Sequence, residues 1–470
     1  MGAGCGTGTV CGGGGGGGGG CGSGGGVGAT PGGAQDMSFI RAQIQSGAIP
    51  QPGNFYVEGI FSEYDLPING EPAKTTFCIR TASGFSADAG IPDPGIYVQL
   101  GFSSNVDPAT FHRNPLNLSV VVDRSGSMAG EKLEGVKVAV GRLVDQLGET
   151  DVFSLVQFDH TMQVLVNPAP VSDKAAIQKI ISSICSGGST NMDIGLRKGY
   201  ELVKGNLGCG KSPRVMLFTD AMPNTGDFST ANFISIVGVG AADGIGLTAF
   251  GVGLDFDQQL INYIATQRGG NYFYLQNREK IETVFDLDFD YMVTPIAYDL
   301  KAVIEPLGDL KIASAYGFPG SNSSTLSMEI ATIFLARGRG AVLFRLETPE
   351  NSDIILKGGD RLMSVNLSYE GTDGVIYTEE MKEVYAGPDI RSKRDQYFEQ
   401  DGTRLTTALA REVVALKAAC ALYYEGKKDE AQAILDALLS FLTSEKTDMG
   451  VDEMQQELDL VVKLKENMAK

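Results

Sequence analysis

From about residue 116 to 290, short apolar runs alternate with stretches in which apolar residues recur every three or four positions. Val120, Val121 and Val122 close one such run and Val215 to Phe218 form another. Between them Leu133, Val136, Val140, Leu143, Val144 and Leu147 fall on one face of a helix. Strand and helix in alternation predict a mostly parallel sheet flanked by helices. Asp151–Phe158 and Met162–Val166 read as a hairpin with Asp159 and His160 at its turn, and a helix is expected from about Met192 to Lys204.

The pattern changes at Thr294. Ala297–Glu305, Leu310–Tyr316, Thr325–Ile333, Ala341–Leu346, Leu362–Tyr369 and Val375–Glu380 are short alternating segments separated by Gly, Asn and Asp, the pattern of an antiparallel β-sandwich. Strands at Thr75–Thr81 and Ile96–Ser103 are expected to pair into the same sandwich, which would make the α/β unit an insertion; insertions are tolerated where domain termini lie close together. Ahead of them, Asp36 to Pro50 predicts a helix stopped by Gly47 and Pro50, with a second short one from about Phe55. The last stretch is helical: Leu405–Glu425 and Lys428–Leu442 joined at Gly426, then a third helix from Val451. These read as a cap packed on the rest. The expected division is therefore 1–34, 35–115, 116–290, 291–386 and 387–470.

Residues 1–34 are low in complexity and include an unbroken glycine run from Gly12 to Gly20, so they are expected to form a disordered tether. Met1 to Cys5 has the small residues that precede a lipid-bearing cysteine, without an apolar leader; if the chain starts further upstream, Cys5 is a candidate attachment site and the protein an extracytoplasmic one. A chain of 470 residues exceeds what one core usually serves. Net charge is −19, and no Lys/Arg cluster of the kind that follows a phosphate backbone is present, which argues against nucleic acid. No apolar run reaches 18 residues, so an ordinary membrane-spanning helix is not expected. Of the seven cysteines, Cys185 and Cys209 flank a helix that holds them about 20 Å apart, beyond disulfide reach. Cys78, Cys185, Cys209 and Cys420 are expected to be free and mostly buried.

The chemistry gathers at strand ends. Asp123-x-Ser125-x-Ser127 follows the first apolar run directly, and a carboxylate and two hydroxyls at alternate positions offer hard oxygen ligands suited to Mg²⁺ or Mn²⁺. Ser186-Gly-Gly-Ser-Thr190-Asn191 precedes the helix from Met192, and the run from Pro213 ends on Asp220. Open α/β sheets place their sites at the carboxyl ends of strands, where these three loops would meet. Here the sequence resembles a von Willebrand factor type A domain with a complete metal-ion-dependent adhesion site, matched at Asp123, Ser125, Ser127, Thr190 and Asp220. Thr248–Gly253 and Gly269–Tyr274 resemble that family's late strands, so the resemblance covers about residues 116 to 290. Ahead of it, the Gly47-to-Pro50 helix end and Tyr64-Asp-Leu-Pro67 resemble bacterial YfbK-type proteins, and the whole resembles inter-alpha-trypsin-inhibitor-heavy-chain-like proteins.

The resemblance implies a Rossmann-like domain in which the hydroxyls of Ser125 and Ser127 ligate a divalent cation. Thr190 would ligate directly or through water depending on state, and Asp123 and Asp220 directly or from behind bound water. An open position would take a carboxylate from an Asp or Glu of a protein partner. The alternative is a structural or assembly subunit, coupled to an ATPase or to envelope machinery, whose metal only ties loops together. An enzyme is not expected: the chain lacks a Gly-x-Ser-x-Gly elbow, a His-Glu-x-x-His pair, a P-loop and a dinucleotide fingerprint. His160, in a turn beside Asp159, reads as solvated surface.

Overall fold

The computed structural model describes residues 28–31, 37–70, 76–107, 109–208, 210–220, 230–253, 263–264, 266–275, 277–317, 327–348, 357–387 and 396–470. Cys5, Cys11, Cys21, Cys209 and most of the glycine-rich head lie outside them. The head is not all tether, however: β1 (Gly28–Pro31) is a strand, with Ala29 fully buried. A strand needs backbone partners more than side-chain bulk, and here a neighbouring strand supplies them. In α1 (Ser38–Gln45), Met37, Ile40 and Ile44 fall on one buried face, and α2 (Val57–Phe61) follows. β2 (Cys78–Ser86) begins later than the alternation suggested, and β3 (Gly95–Ser103) pairs with it throughout.

The inserted α/β unit runs through β4 (Leu116–Asp123), α3 (Glu131–Gln146), β5 (Val152–Phe158), β6 (Met162–Pro170), α4 (Lys174–Ser182), α5 (Met192–Lys204), β7 (Ser212–Thr219), α6 (Thr230–Ala242), β8 (Gly246–Gly251), β9 (Asn271–Tyr274), α7 (Arg278–Glu282) and α8 (Phe289–Met292). Strand order is β6-β5-β4-β7-β8-β9, parallel except for the β5–β6 hairpin. β4 is buried along its whole length because both faces are covered. Val120 and Val122 pack with Leu133, Val140 and Phe285 on one side, and Val121 packs with Leu196, Val215 and Phe233 on the other.

The remaining strands are β10 (Pro295–Pro306), β11 (Lys311–Tyr316), β12 (Ser327–Ala336), β13 (Ala341–Glu347), β14 (Arg361–Gly371), β15 (Ile376–Tyr385) and β16 (Tyr397–Phe398). With β1, β2 and β3 they form one antiparallel sheet of ten strands. It doubles over on itself: β11-β13-β3-β2-β16 is one half, β12-β10-β14-β15 the other, and β1 bridges them, pairing with β12 over four residues and with β3 through Gly28 alone. Val98, Leu100 and Phe344 from the first half share a core with Leu300, Ile330 and Val365 from the second. The opposite face of β3 and β13, with Tyr97, Ala341 and Leu343, packs on the helices α9 (Asp401–Tyr424), α10 (Lys428–Met449) and α11 (Gln455–Met468). The helices therefore form a third layer over the sheet. Arg411 of α9 is completely buried there and donates to the Ser86 hydroxyl at 2.7 Å and to the carbonyls of Ala87, Ile91 and Pro92 at 2.9 to 3.1 Å.

Part of the junction between the α/β unit and the antiparallel sheet lies at the amino ends of the unit's strands. Arg214, near the start of β7, donates to the Gly269 carbonyl at 3.0 Å, and the Gly269 amide donates to Thr332 Oγ1 of β12 at 2.7 Å. Arg268 pairs with Glu370 of β14 at 2.7 Å and with Asp299 of β10 at 2.6 Å. The carboxyl ends of β4 and β7 point away from this junction.

Candidate functional site

β4 and β7 are adjacent and parallel, with Val122 opposite Phe218, so the residues that follow each strand emerge side by side. Asp123 is fully buried at the end of β4. One carboxylate oxygen accepts the Ser125 amide at 2.8 Å and the other accepts the Thr219 hydroxyl at 2.7 Å. Burial raises its pKa above the ordinary carboxylate value; the hydrogen bonds from Thr219 and Ser125 pull it back and the charge of Asp220 pushes it further up. Ser125 and Ser127 hydroxyls lie 3.1 Å apart, and the Ser127 hydroxyl donates to Asp220 Oδ1 at 2.9 Å. Four of the five matched residues thus form one hydrogen-bonded chain.

Thr190 arrives on the third loop. The Gly126 amide donates to the Gly188 carbonyl at 3.0 Å and the Gly187 amide to the Arg124 carbonyl at 2.8 Å, so the loop is tied to the segment between Asp123 and Ser127. Thr190 itself is half-buried and Ser127 is exposed. Gly188 has φ +77°, and a Cβ there would meet His160 Nδ1 at 2.5 Å, so the close approach requires glycine.

Three groups in this arrangement had no signal in the sequence motif. Arg124 pairs with Asp159 of the hairpin turn and donates to the Cys185 carbonyl at 3.1 Å, while the Asp159 carbonyl accepts the Asn191 amide at 2.8 Å. That latch fixes both ends of the Thr190 loop. Lys132, in the first turn of α3, pairs with Asp220 Oδ2 at 2.5 Å. Thr219 precedes the matched Asp220 and orients Asp123 instead. His160 is 62% exposed with Nδ1 3.1 Å from Asp159 Oδ1, at the hairpin turn. Cys185 is exposed, against the expectation of burial; Cys78 and Cys420 are free, half-buried and buried respectively.

Oxygens that share an octahedral Mg²⁺ with bonds of about 2.1 Å sit roughly 3 Å from one another. The Ser125–Ser127 and Ser127–Asp220 separations of 3.1 and 2.9 Å are of that size. Two carboxylates with hydroxyls could hold a hard cation. A carboxylate- or imidazole-rich centre is not the alternative, since no group of three or more His, Cys, Asp or Glu suited to a metal occurs among the described residues. No helix among them is long and apolar enough to cross a membrane.

Residues 117–287 match the family model described as von Willebrand factor type A domain, and the chain carries such a domain. Curated relatives include the uncharacterized protein sll0103 of a Synechocystis strain, 32% identical over 40% of this chain and 44% of its own length. Uncharacterized protein YfbK of Escherichia coli is 30% identical over 40% of this chain and 33% of its own length. Inter-alpha-trypsin inhibitor heavy chain H2 of Mesocricetus auratus is 26% identical over 37% and 19%. The matches therefore span less than half the length of each relative. A solved structure, von Willebrand factor type A from Catenulispora acidiphila, covers 83% of this chain and 91% of its own at a TM-score of 0.54 and 14% identity, a likeness of fold that extends past the α/β unit.

Proposed function

We propose that the von Willebrand factor type A domain of this chain holds one Mg²⁺ or Mn²⁺ through Asp123, Ser125, Ser127, Thr190 and Asp220, and captures a protein partner through an Asp or Glu of that partner. When bound, the cation supplies a Lewis-acidic position for a carboxylate. The rest falls to the chain's own residues. Ser125 and Ser127 present neutral oxygens, so the oxygen donors bring only the two charges of Asp123 and Asp220 against a dication. Thr219 and the Ser125 amide keep Asp123 pointed into the site. The Arg124–Asp159 latch keeps Thr190 within reach of it. The sandwich and the helical layer serve as a mount, and catalysis is not part of the reading.

The observation that carries this is a hydrogen-bonded set of oxygens from two strand ends, with the Thr190 loop tied against it through its backbone, whose outermost member, Ser127, is exposed. Capture of a partner from the source organism's lysate should be lost in EDTA and restored by Mg²⁺. Thr190→Ala should weaken capture about tenfold while changing Mg²⁺ affinity only a few-fold, since neutral hydroxyls contribute least to holding a cation and most to its geometry. Capture that is indifferent to EDTA would leave the cation a tie between loops and refute the recognition mechanism.

A further inference from the structure

Lys132 sits where its own helix does not favour it. It lies in the first turn of α3, beside Glu131 and Glu134, at the end of a helix whose dipole repels cations. Its ammonium is nevertheless 2.5 Å from Asp220 Oδ2; Asp220 is 4% exposed and the Lys132 side chain 31%, so the pair is partly withdrawn from water, where charges interact more strongly than in bulk. The other oxygen of Asp220 is engaged by Ser127. The loop after β8 is shaped to admit the lysine: Gly253 has φ +89°, and a Cβ there would stand 2.8 Å from Lys132 Cε and 3.0 Å from Nζ. Behind the lysine opens a cavity of about 500 Å³ between α3, the ends of β8 and β9, and α7, lined by Glu131, by Glu134, which pairs with Lys137, and by Arg278. An ammonium displaced from Asp220 has room there.

We propose that Lys132 is a tethered counter-cation of this site. It neutralises Asp220 in advance, so that a divalent cation binds more weakly than the oxygen donors alone would hold it, and a cation so bound keeps more of its charge for a carboxylate arriving from outside. The inference rests on the metal reading above and concerns the fixed charge of one side chain that the family match does not place in the ligand set.

The test is a calorimetric titration of the full chain with Mg²⁺ and, separately, Mn²⁺. Lys132→Met should bind both about tenfold more tightly than the unsubstituted protein, the size expected for removing one charge near a partly buried site. Lys132→Arg should stay within about threefold, and Lys132→Gln takes the place of the methionine variant if the latter does not fold. Equal or weaker binding by the charge-removing variant, with the unsubstituted protein binding normally, overturns this inference and leaves the metal reading standing. Absence of binding in every protein overturns the metal reading and this inference with it.

Discussion

Charged side chains collect in two regions of the molecule and are handled in opposite ways. Under the helical layer Arg411, Glu412 and Glu457 are completely buried. Arg411 spends its donors on Ser86 and three carbonyls, and Glu457 accepts Arg41 at 2.7 and 2.9 Å and the Tyr64 hydroxyl at 2.7 Å. At the carboxyl edge of the parallel sheet, the carboxylates of Asp123 and Asp220 are buried, but the hydroxyl chain they anchor runs outward to exposed Ser127, and Lys132 reaches in with a side chain 31% exposed. In the first region Arg411 and Glu457 have committed their charge to holding elements together, while burial favours the neutral form of Glu412. The second ends at solvent, where an incoming group can still exchange partners. Charge density alone does not mark a candidate binding site; its access to solvent matters as well.

The comparison breaks first if the buried region is not structural. Arg411→Met should cost about 3–5 kcal/mol in denaturant unfolding, because three carbonyls and a hydroxyl are left without their buried donor. Mg²⁺ affinity of the folded variant should be unchanged. A loss of metal binding at matched folding would mean that the two regions are coupled.

A smaller effect sharpens the contrast through pH. Glu58 of α2 is buried, and burial pushes its carboxyl up to about 7. The folded protein then keeps a proton that the unfolded chain has already released above its ordinary value near 4.5, so stability falls as pH rises from about 4.5 through 7 and stays lowered beyond. Glu412 is raised in the same sense, by burial and by the neighbouring Glu457 carboxylate. Glu58→Gln should flatten that decline and be more stable than the unsubstituted protein at pH 8 by roughly 3 kcal/mol. Thermal melts at pH 5 and pH 8 read the difference, and an unchanged decline would show that Glu58 is not its source.

Much of the architecture was readable because it is periodic. The six segments between Thr294 and Tyr385 are found as β10 to β15 with ends shifted by a few residues, and the hairpin turn at Asp159 is where the alternation puts it. The loop residues were readable for a different reason: Asp123 and Asp220 each end an apolar run, so local sequence announces a carboxylate at a strand terminus. What could not be read is set by contacts far apart in the chain. Lys132 on Asp220, Arg124 on Asp159 and Gly28–Pro31 on β12 leave no local period. Glu58 and Glu412, charged residues on helices, look like solvated positions until the sheet and the other helices are placed over them.

The central claim is that the three loops hold a divalent cation. Its most direct test is calorimetric titration of Mg²⁺ into the full chain and into Asp123→Ala and Asp220→Ala. One site per chain is expected in the unsubstituted protein, with affinity reduced at least a hundredfold, about 2.7 kcal/mol, in each variant while circular dichroism shows the fold retained. Unchanged Mg²⁺ binding in both variants would contradict the account.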